Sequence, residues 1–347
     1  MRIAGIAATL PSRVVTNQDV LELIEHHSKD TFNGDLPRTL RTIGRLLEKS
    51  GFKKRHWLAE GEHPIELMKA TFDRALQQAG IDKEEIDLLI YTGVARGFVE
   101  PANSCFVAHS LGLRCRNFDV LDACMGWITS MDIVNDKMKA GSVKKAAIVN
   151  MEFNVIDGGP IFPKNFSLES KEDFSYKLPS FSIGEAIAVT LLDNENPTNF
   201  NFSFINRPDW SDLCTVSLPG WESFCEPSQK IESTGGQFQF SSDGAALHKQ
   251  GLHEIVKVFH DAGLTPNDMD WVFTHTSSSE QWTNYGDIVG VAKKIFHTSH
   301  ETGNIATASI PVGLAQAQEQ GLLKKQQSCL GWQGSAGMSF STMHFQF

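Results

Sequence analysis

The feature that most constrains this chain is an internal repeat. Ala79-Gly80-Ile81, four residues, then Ile86-Asp87-Leu88-Leu89-Ile90-Tyr91-Thr92 returns as Ala262-Gly263-Leu264, four residues, then Met269-Asp270-Trp271-Val272-Phe273-Thr274-His275, every residue 183 positions on. The helical patterns before them match as well, at 65–78 and 248–261, and the opening strand at 2–10 has a counterpart at 201–205. In the first copy Leu67, Phe72 and Leu76 lead to Gly80, a residue suited to capping a helix C-terminus. Two copies are too few for a solenoid, which needs at least three. They predict two similar α/β halves packed together, 1–195 and 196–347, with reactive groups at the strand ends.

With 347 residues, 41% hydrophobic and 21% charged, the chain buries a large core without help from metals or disulfides. Cys105, Cys115, Cys124, Cys214, Cys225 and Cys329 show no CxxC or CxH pairing, so neither a zinc site nor a disulfide framework is expected. The first residues are too weakly apolar for a signal peptide and no run reaches membrane-spanning length, so a cytoplasmic protein without a membrane span is expected. A net charge of −10 argues against a nucleic-acid partner. Two irregular stretches, 152–182 and 206–239, read as long excursions of the kind that cover a site.

The candidate nucleophile is Cys124. An extended run at 116–120 feeds it, and Trp127, Met131, Val134 and Met138 follow at the spacing of one helix face. A cysteine at a strand-to-helix junction meets the unpaired N–H groups and positive dipole end of the helix, which favour its thiolate. Taken alone, such a cysteine is more often a small buried apolar residue, so partners elsewhere decide. His275 closes the duplicated strand. Gly303-Asn304-Ile305-Ala306-Thr307-Ala308-Ser309 reads as a tight turn entering a helix of small residues, where the Asn304 amide can donate. Gly331-Trp332-Gln333-Gly334-Ser335-Ala336-Gly337 precedes the last strand, and its small residues let backbone N–H groups face a reacting carbonyl.

Asp122-Ala123-Cys124-Met125-Gly126, His275 at a strand end, Gly303-Asn304 with Ala308-Ser309-Ile310-Pro311, and the glycine-rich loop before the final strand together resemble the thiolase superfamily. The closest pattern is its beta-ketoacyl-ACP synthase III branch, and the resemblance spans essentially the whole chain, including Gly51-Phe52-Lys53-Lys54-Arg55-His56 and 181–186. It implies the thiolase fold, two duplicated α/β halves in a layered α-β-α-β-α core. It also implies an acyltransferase with a Cys–His–Asn triad. Cys124 takes the acyl group as a thioester; His275 and Asn304 hold the second thioester carbonyl; the N–H groups of Cys124 and Ala336, with Gly337 beside it, form an oxyanion hole. Acyl-CoA or acyl-carrier-protein thioesters are then substrates, with no separate cofactor and no metal.

The chain departs from that branch in three places. Thr276-Ser277-Ser278 replace the usual residues after the histidine, so an altered second-substrate pocket is expected. No tryptophan lies between Thr42 and Lys49 to stack on an adenine, which favours carrier-protein delivery over coenzyme A. Trp127 replaces a phenylalanine and is expected to shorten or redirect an acyl channel. The run 93–102, with Glu100, resembles the segment by which head-to-head acyl-condensing enzymes send a glutamate across a dimer interface as a base. The other reading of Glu100 is a surface acid complementing the dipole of the next helix. Lys53, Lys54, Arg55, Lys293 and Lys294 are the candidate entrance for an acidic carrier protein.

The expected activity is a Claisen condensation of two acyl groups in a homodimer, with a heterodimer as the other arrangement. A malonyl-dependent chain-initiating synthase III, an acyltransferase to an amine or hydroxyl, and a non-catalytic partner subunit are the alternatives.

Overall fold

In the computed structural model, which describes residues 1–225 and 237–347, the repeat becomes two sheets. The first contains β1 (Arg2–Thr9), β4 (Leu88–Thr92), β5 (Arg116–Val120), β6 (Lys145–Glu152) and β7 (Ala186–Asp193) in the order β1-β7-β6-β4-β5. The second contains β8 (Phe200–Asn206), β11 (Trp271–Thr274), β12 (Ser328–Ser335) and β13 (Ser339–Gln346) in the order β11-β12-β13-β8. In each, a central parallel pair continues into antiparallel strands: β4 beside β6, and β11 beside β12.

The spacing of 183 persists in three dimensions. It relates the starts of β4 and β11 at Leu88 and Trp271, those of β6 and β12 at Lys145 and Ser328, and those of two helices at Gly126 and Ser309. The copies diverge at the fifth strand. Where the first sheet has β5, the second has, among the described residues, only a bridge between Val272 and Ile295.

Helices Gly126–Lys139 and Ser309–Glu319 lie between the sheets. One cluster joins Trp127, Met131 and Val134 with Leu88 and Ile148 of the first sheet, Phe273 and Met343 of the second, and Leu314. Fully burying such a side chain contributes roughly 1.5–3 kcal/mol, so this central layer, apolar all round, holds the halves together. Outer helices complete the layers: Pro64–Ala79 packs Phe72 and Ala75 on the first sheet, and Gly244–Asp261 packs Val258 and Phe259 on the second.

Two regions without periodicity combine into a lobe beside these layers. The first contains β2 (Arg13–Thr16) and β3 (Lys54–Trp57) with helices Asn17–Ser28 and Leu36–Lys49; the second is the excursion after β6. Ile24, Ile43 and Trp57 pack there with Phe166, Phe181 and Ile183, and Trp57 Nε1 donates to the Ile183 carbonyl at 2.9 Å. Of the stretch 206–239, residues 226–236 lie outside the described residues. Its earlier part forms β9 (Cys214–Val216), which pairs with β10 (Phe240–Ser242). The Phe240 N–H donates to the Pro160 carbonyl, tying the two excursions together. No helix among the described residues is long and apolar enough to cross a membrane.

Candidate active site

Cys124 sits on a one-turn segment, Ala123–Met125, between β5 and helix Gly126–Lys139. Ala123 has φ 41°, a conformation costly for a residue with a Cβ, and the surrounding bonds maintain it. The Met125 N–H reaches Ser335 Oγ at 3.2 Å, and Gln333 Nε2 donates to the Cys124 carbonyl at 2.9 Å. Gly126 is required by close approach, because a Cβ there would lie 2.0 Å from Thr92 Oγ1.

The second copy builds the same turn. Ala306 has φ 42°, Ala306–Ala308 form one turn, and Ser309 opens the following helix, each 183 positions beyond Ala123, Ala123–Met125 and Gly126. The two turns pack against each other. Thr307 is the counterpart of Cys124, His275 that of Thr92 and Ser335 that of Glu152. The difference between copies is chemical: where Thr92 abuts Gly126, His275 Nδ1 meets Ser309 Oγ at 3.1 Å.

Ser309 Oγ donates to the Ala306 carbonyl at 2.7 Å, and that carbonyl also faces the His275 ring. With the hydrogen on Nδ1, facing Ser309 Oγ, Nε2 presents a lone pair. Burial, helped by His248, pulls His275 down to about 4 against the Ala306 carbonyl, so the ring is neutral near pH 7. Asn304 Oδ1 accepts the Ala306 N–H at 3.1 Å, which leaves its amide hydrogens as donors. Gly303 brings Asn304 in against the lobe, because a Cβ on Gly303 would lie 2.5 Å from the Ser182 carbonyl.

The N–H groups of Ala336 and of Cys124 itself face the Cys124 sulfur and favour its ionised form. Yet burial pushes the thiol well above its ordinary range, with Cys214 and Glu152 adding to it, and those two N–H groups offset only part of this. This corrects the expectation of a thiolate favoured by the helix start: desolvation wins, and Cys124 rests as a thiol. Gly337, with φ 77° and exposed, serves the β12–β13 turn, where the Met338 N–H closes onto the Ser335 carbonyl.

The residues after His275 have structural work. Thr276 Oγ1 accepts the Ile305 N–H, Ser277 Oγ accepts Trp282 Nε1–H, and Ser278 caps helix Ser279–Val289. Trp127 lies in the central core, 1% exposed, and donates to Thr190 Oγ1 at 3.0 Å, so its place is in packing between the sheets rather than along a channel.

The basic residues do not form one surface. Arg55 is fully buried, with Nη1 donating to Val15 O and Asn17 Oδ1, so it cannot greet a partner. The reason is the two-residue period of β3, which turns Arg55 inward with Trp57. Lys54 pairs with Glu301, and Lys294 donates to the carbonyls of Pro266 and Met269. Lys53 and Lys293 remain exposed, and Lys53 borders an open cavity of about 420 Å³ with Glu280, His297 and His300.

Glu100 is exposed on the loop between β4 and helix Asn103–Leu111. The start of that helix is taken by Asp119, whose carboxylate accepts the N–H groups of Asn103 and Ser104, both at 2.8 Å. No group of three or more His, Cys, Asp or Glu among the described residues could hold a metal ion. Sequence reasoning missed Ser309 and Gln333, though both lie within runs it singled out. It also missed Glu152, whose signal is a carboxylate closing a strand whose middle, Ala146–Val149, is apolar.

The model of the 3-oxoacyl-[acyl-carrier-protein] synthase III C-terminal domain matches residues 259–347. The beta-ketoacyl-[acyl-carrier-protein] synthase III of Methylococcus capsulatus is 24% identical, covering 95% of this chain and 93% of its own length. That of Coxiella burnetii is 23% identical over 98% of this chain and 97% of its own. Among solved structures, Xanthomonas campestris OleA with bound lauric acid and lauroyl-CoA superposes with a TM-score of 0.83 at 21% identity, covering 99% of this chain and 98% of its own. The chain has the thiolase fold, carries a synthase III C-terminal domain over residues 259–347, and is a synthase III-like acyl-condensing enzyme, an acyltransferase.

Proposed function

We propose that this enzyme joins two acyl groups by a Claisen condensation through an acyl-Cys124 thioester. The observation that carries the reading is that two N–H groups face one sulfur while the Ala306–Ala308 turn, which follows Asn304, packs against the Cys124 turn. In loading, the Cys124 proton passes to His275 Nε2 as sulfur attacks the first thioester carbonyl. The oxyanion meets the N–H groups of Cys124 and Ala336, and the departing thiolate leaves with the proton from His275. In condensation, Asn304 holds the carbonyl of the second thioester, joined by His275 whenever Nε2 is protonated. A base removes the α-proton, the carbanion attacks the acyl-Cys124 carbonyl, and the new C–C bond forms as the C–S bond breaks.

Glu100 supplies that base from across a homodimer. Edge strand β5 has one side unpaired, and Phe98, Val99, Phe106 and Leu121 expose apolar surface around the Glu100 loop, a surface suited to a second copy. Acyl thioesters on coenzyme A or an acyl carrier protein are the substrates, with Lys53 and Lys293 as the remaining entrance residues, and the enzyme works in the cytoplasm. The synthase III relatives favour a second reading, in which a malonyl thioester provides the carbanion by losing carbon dioxide.

Intact-protein mass spectrometry with a panel of acyl thioesters tests the reading. Wild type should gain one acyl mass and Cys124→Ala none; labelling of the variant would move the nucleophile elsewhere. Asn304→Ala should still load but condense roughly 10²-fold more slowly, the scale of losing one oxyanion donor. Product formed only when a malonyl thioester is present would support the second reading instead.

A further inference from the structure

Glu152 ends β6 fully buried, and no Lys, Arg or His among the described residues pairs with it. An isolated carboxylate in such a place is costly, so its partners must be hydrogen-bond donors. Four donors surround it, from three separate segments. The Thr307 N–H reaches Oε1 at 3.1 Å and Thr307 Oγ1 reaches it at 2.6 Å. Asn154 Nδ2 donates to Oε2 at 2.7 Å, and the Val94 N–H lies 3.2 Å from both oxygens. Burial raises the pKa of Glu152, and the hydrogen bonds from Thr307, Asn154 and Val94 offset part of that by favouring the carboxylate.

The internal symmetry shows what this arrangement replaces. Thr307 stands where the first copy has Cys124, and the Cys124 N–H points at its own sulfur. In the second copy the corresponding N–H is filled by the Glu152 carboxylate. The turn that presents Asn304 is thus held by an internal carboxyl group, while the turn that presents Cys124 keeps its N–H for chemistry. The same carboxylate grips Val94, the second residue after β4, on the loop that runs to Glu100. Gly93 lets that loop cross closely, since a Cβ there would lie 2.4 Å from the Met151 carbonyl.

We propose that Glu152 is a positioning residue for condensation: it ties the Asn304 turn to the Glu100 loop and sets the geometry of the second substrate without taking part in loading Cys124. This rests on the roles of Asn304 and Glu100 given above. Glu152→Gln keeps the shape but turns one oxygen into a donor, so either Thr307 or the Val94 and Asn154 pair faces another donor. Displacements of this kind far from the reacting atoms cost roughly 10²-fold.

The test measures the rate of acyl-Cys124 formation and the rate of condensation separately, in wild type, Glu152→Gln, Asn304→Ala, Glu100→Ala and the Glu152→Gln/Asn304→Ala double variant. Glu152→Gln should load within about threefold of wild type and condense ten- to a hundredfold more slowly. In the Asn304→Ala background the same change should cost far less, because the group it positions is gone. Thr307→Val, which removes only the hydroxyl donor, should show a smaller loss confined to condensation. It serves as the test if Glu152→Gln does not fold. Equal losses in both half-reactions, full condensation by Glu152→Gln, or independent costs in the double variant would overturn the proposal. Normal condensation by Asn304→Ala and Glu100→Ala would instead overturn the functional reading beneath it.

Discussion

His275 carries a pH signature that separates it from the other histidines. Its pKa falls from an ordinary 6.5 in the unfolded chain to about 4 in the folded protein. A depressed folded value means that its contribution to stability is present above about pH 6.5 and is lost as pH falls through about 4. The shift corresponds to something on the order of 3 kcal/mol. Denaturant melts from pH 7 to pH 4 should therefore show wild type losing more stability than His275→Asn, which keeps a hydrogen-bonding side chain but does not titrate there. Parallel curves would mean that folding leaves the ring's pKa unshifted, so that burial does not hold His275 neutral across this range. At this scale the turns and strand end that carry Cys124, His275 and Asn304 were legible in the sequence. What depends on burial was not. Arg55 reads as part of a surface charge cluster because a linear run of Lys-Lys-Arg-His does not show which residues a strand turns inward. Cys124 reads as an incipient thiolate because a helix start is legible and desolvation is not.

At the level of elements, the turn before helix Gly126–Lys139 and the turn before helix Ser309–Glu319 solve one packing problem with opposite residues. The first places a glycine against Thr92, the second a serine against His275. Gly126→Ala puts a methyl on Thr92 Oγ1 and should lower stability by about 1–3 kcal/mol, the cost of overpacking. Thr92 Oγ1 is buried without a hydrogen-bond partner, so Thr92→Ala costs little there. The double variant Gly126→Ala/Thr92→Ala should then recover much of the loss in thermal or denaturant melts. Additive losses would show that backbone conformation, not the contact with Thr92, demands the glycine. The repeat made the pairing of Leu88 with Trp271 readable in the sequence, whereas the pairing of Gly126 with Ser309 emerged only from the structure. The lobe was not readable. Its contacts join residues near 15–57 to residues near 155–183, and such distant pairing leaves no period in either stretch.

For the whole molecule, the account depends on one sulfur and one carboxylate meeting from two subunits. Each protomer presents Cys124 where the turns of its two copies of the repeat pack together, and Glu100 on an exposed loop before β5, an edge strand among the described residues. On the mechanism proposed above, Cys124→Ala does not load and Glu100→Ala does not remove the α-proton, so each variant alone should be inactive with two non-malonyl acyl thioesters. Mixing the two variants under conditions that exchange subunits creates heterodimers in which one site combines an intact Cys124 with the partner subunit's Glu100. The most direct measurement is condensation product from that mixture: activity should return, approaching half of the wild-type rate per heterodimer. No return after verified subunit exchange, or full activity of the Glu100→Ala homodimer alone, would contradict it.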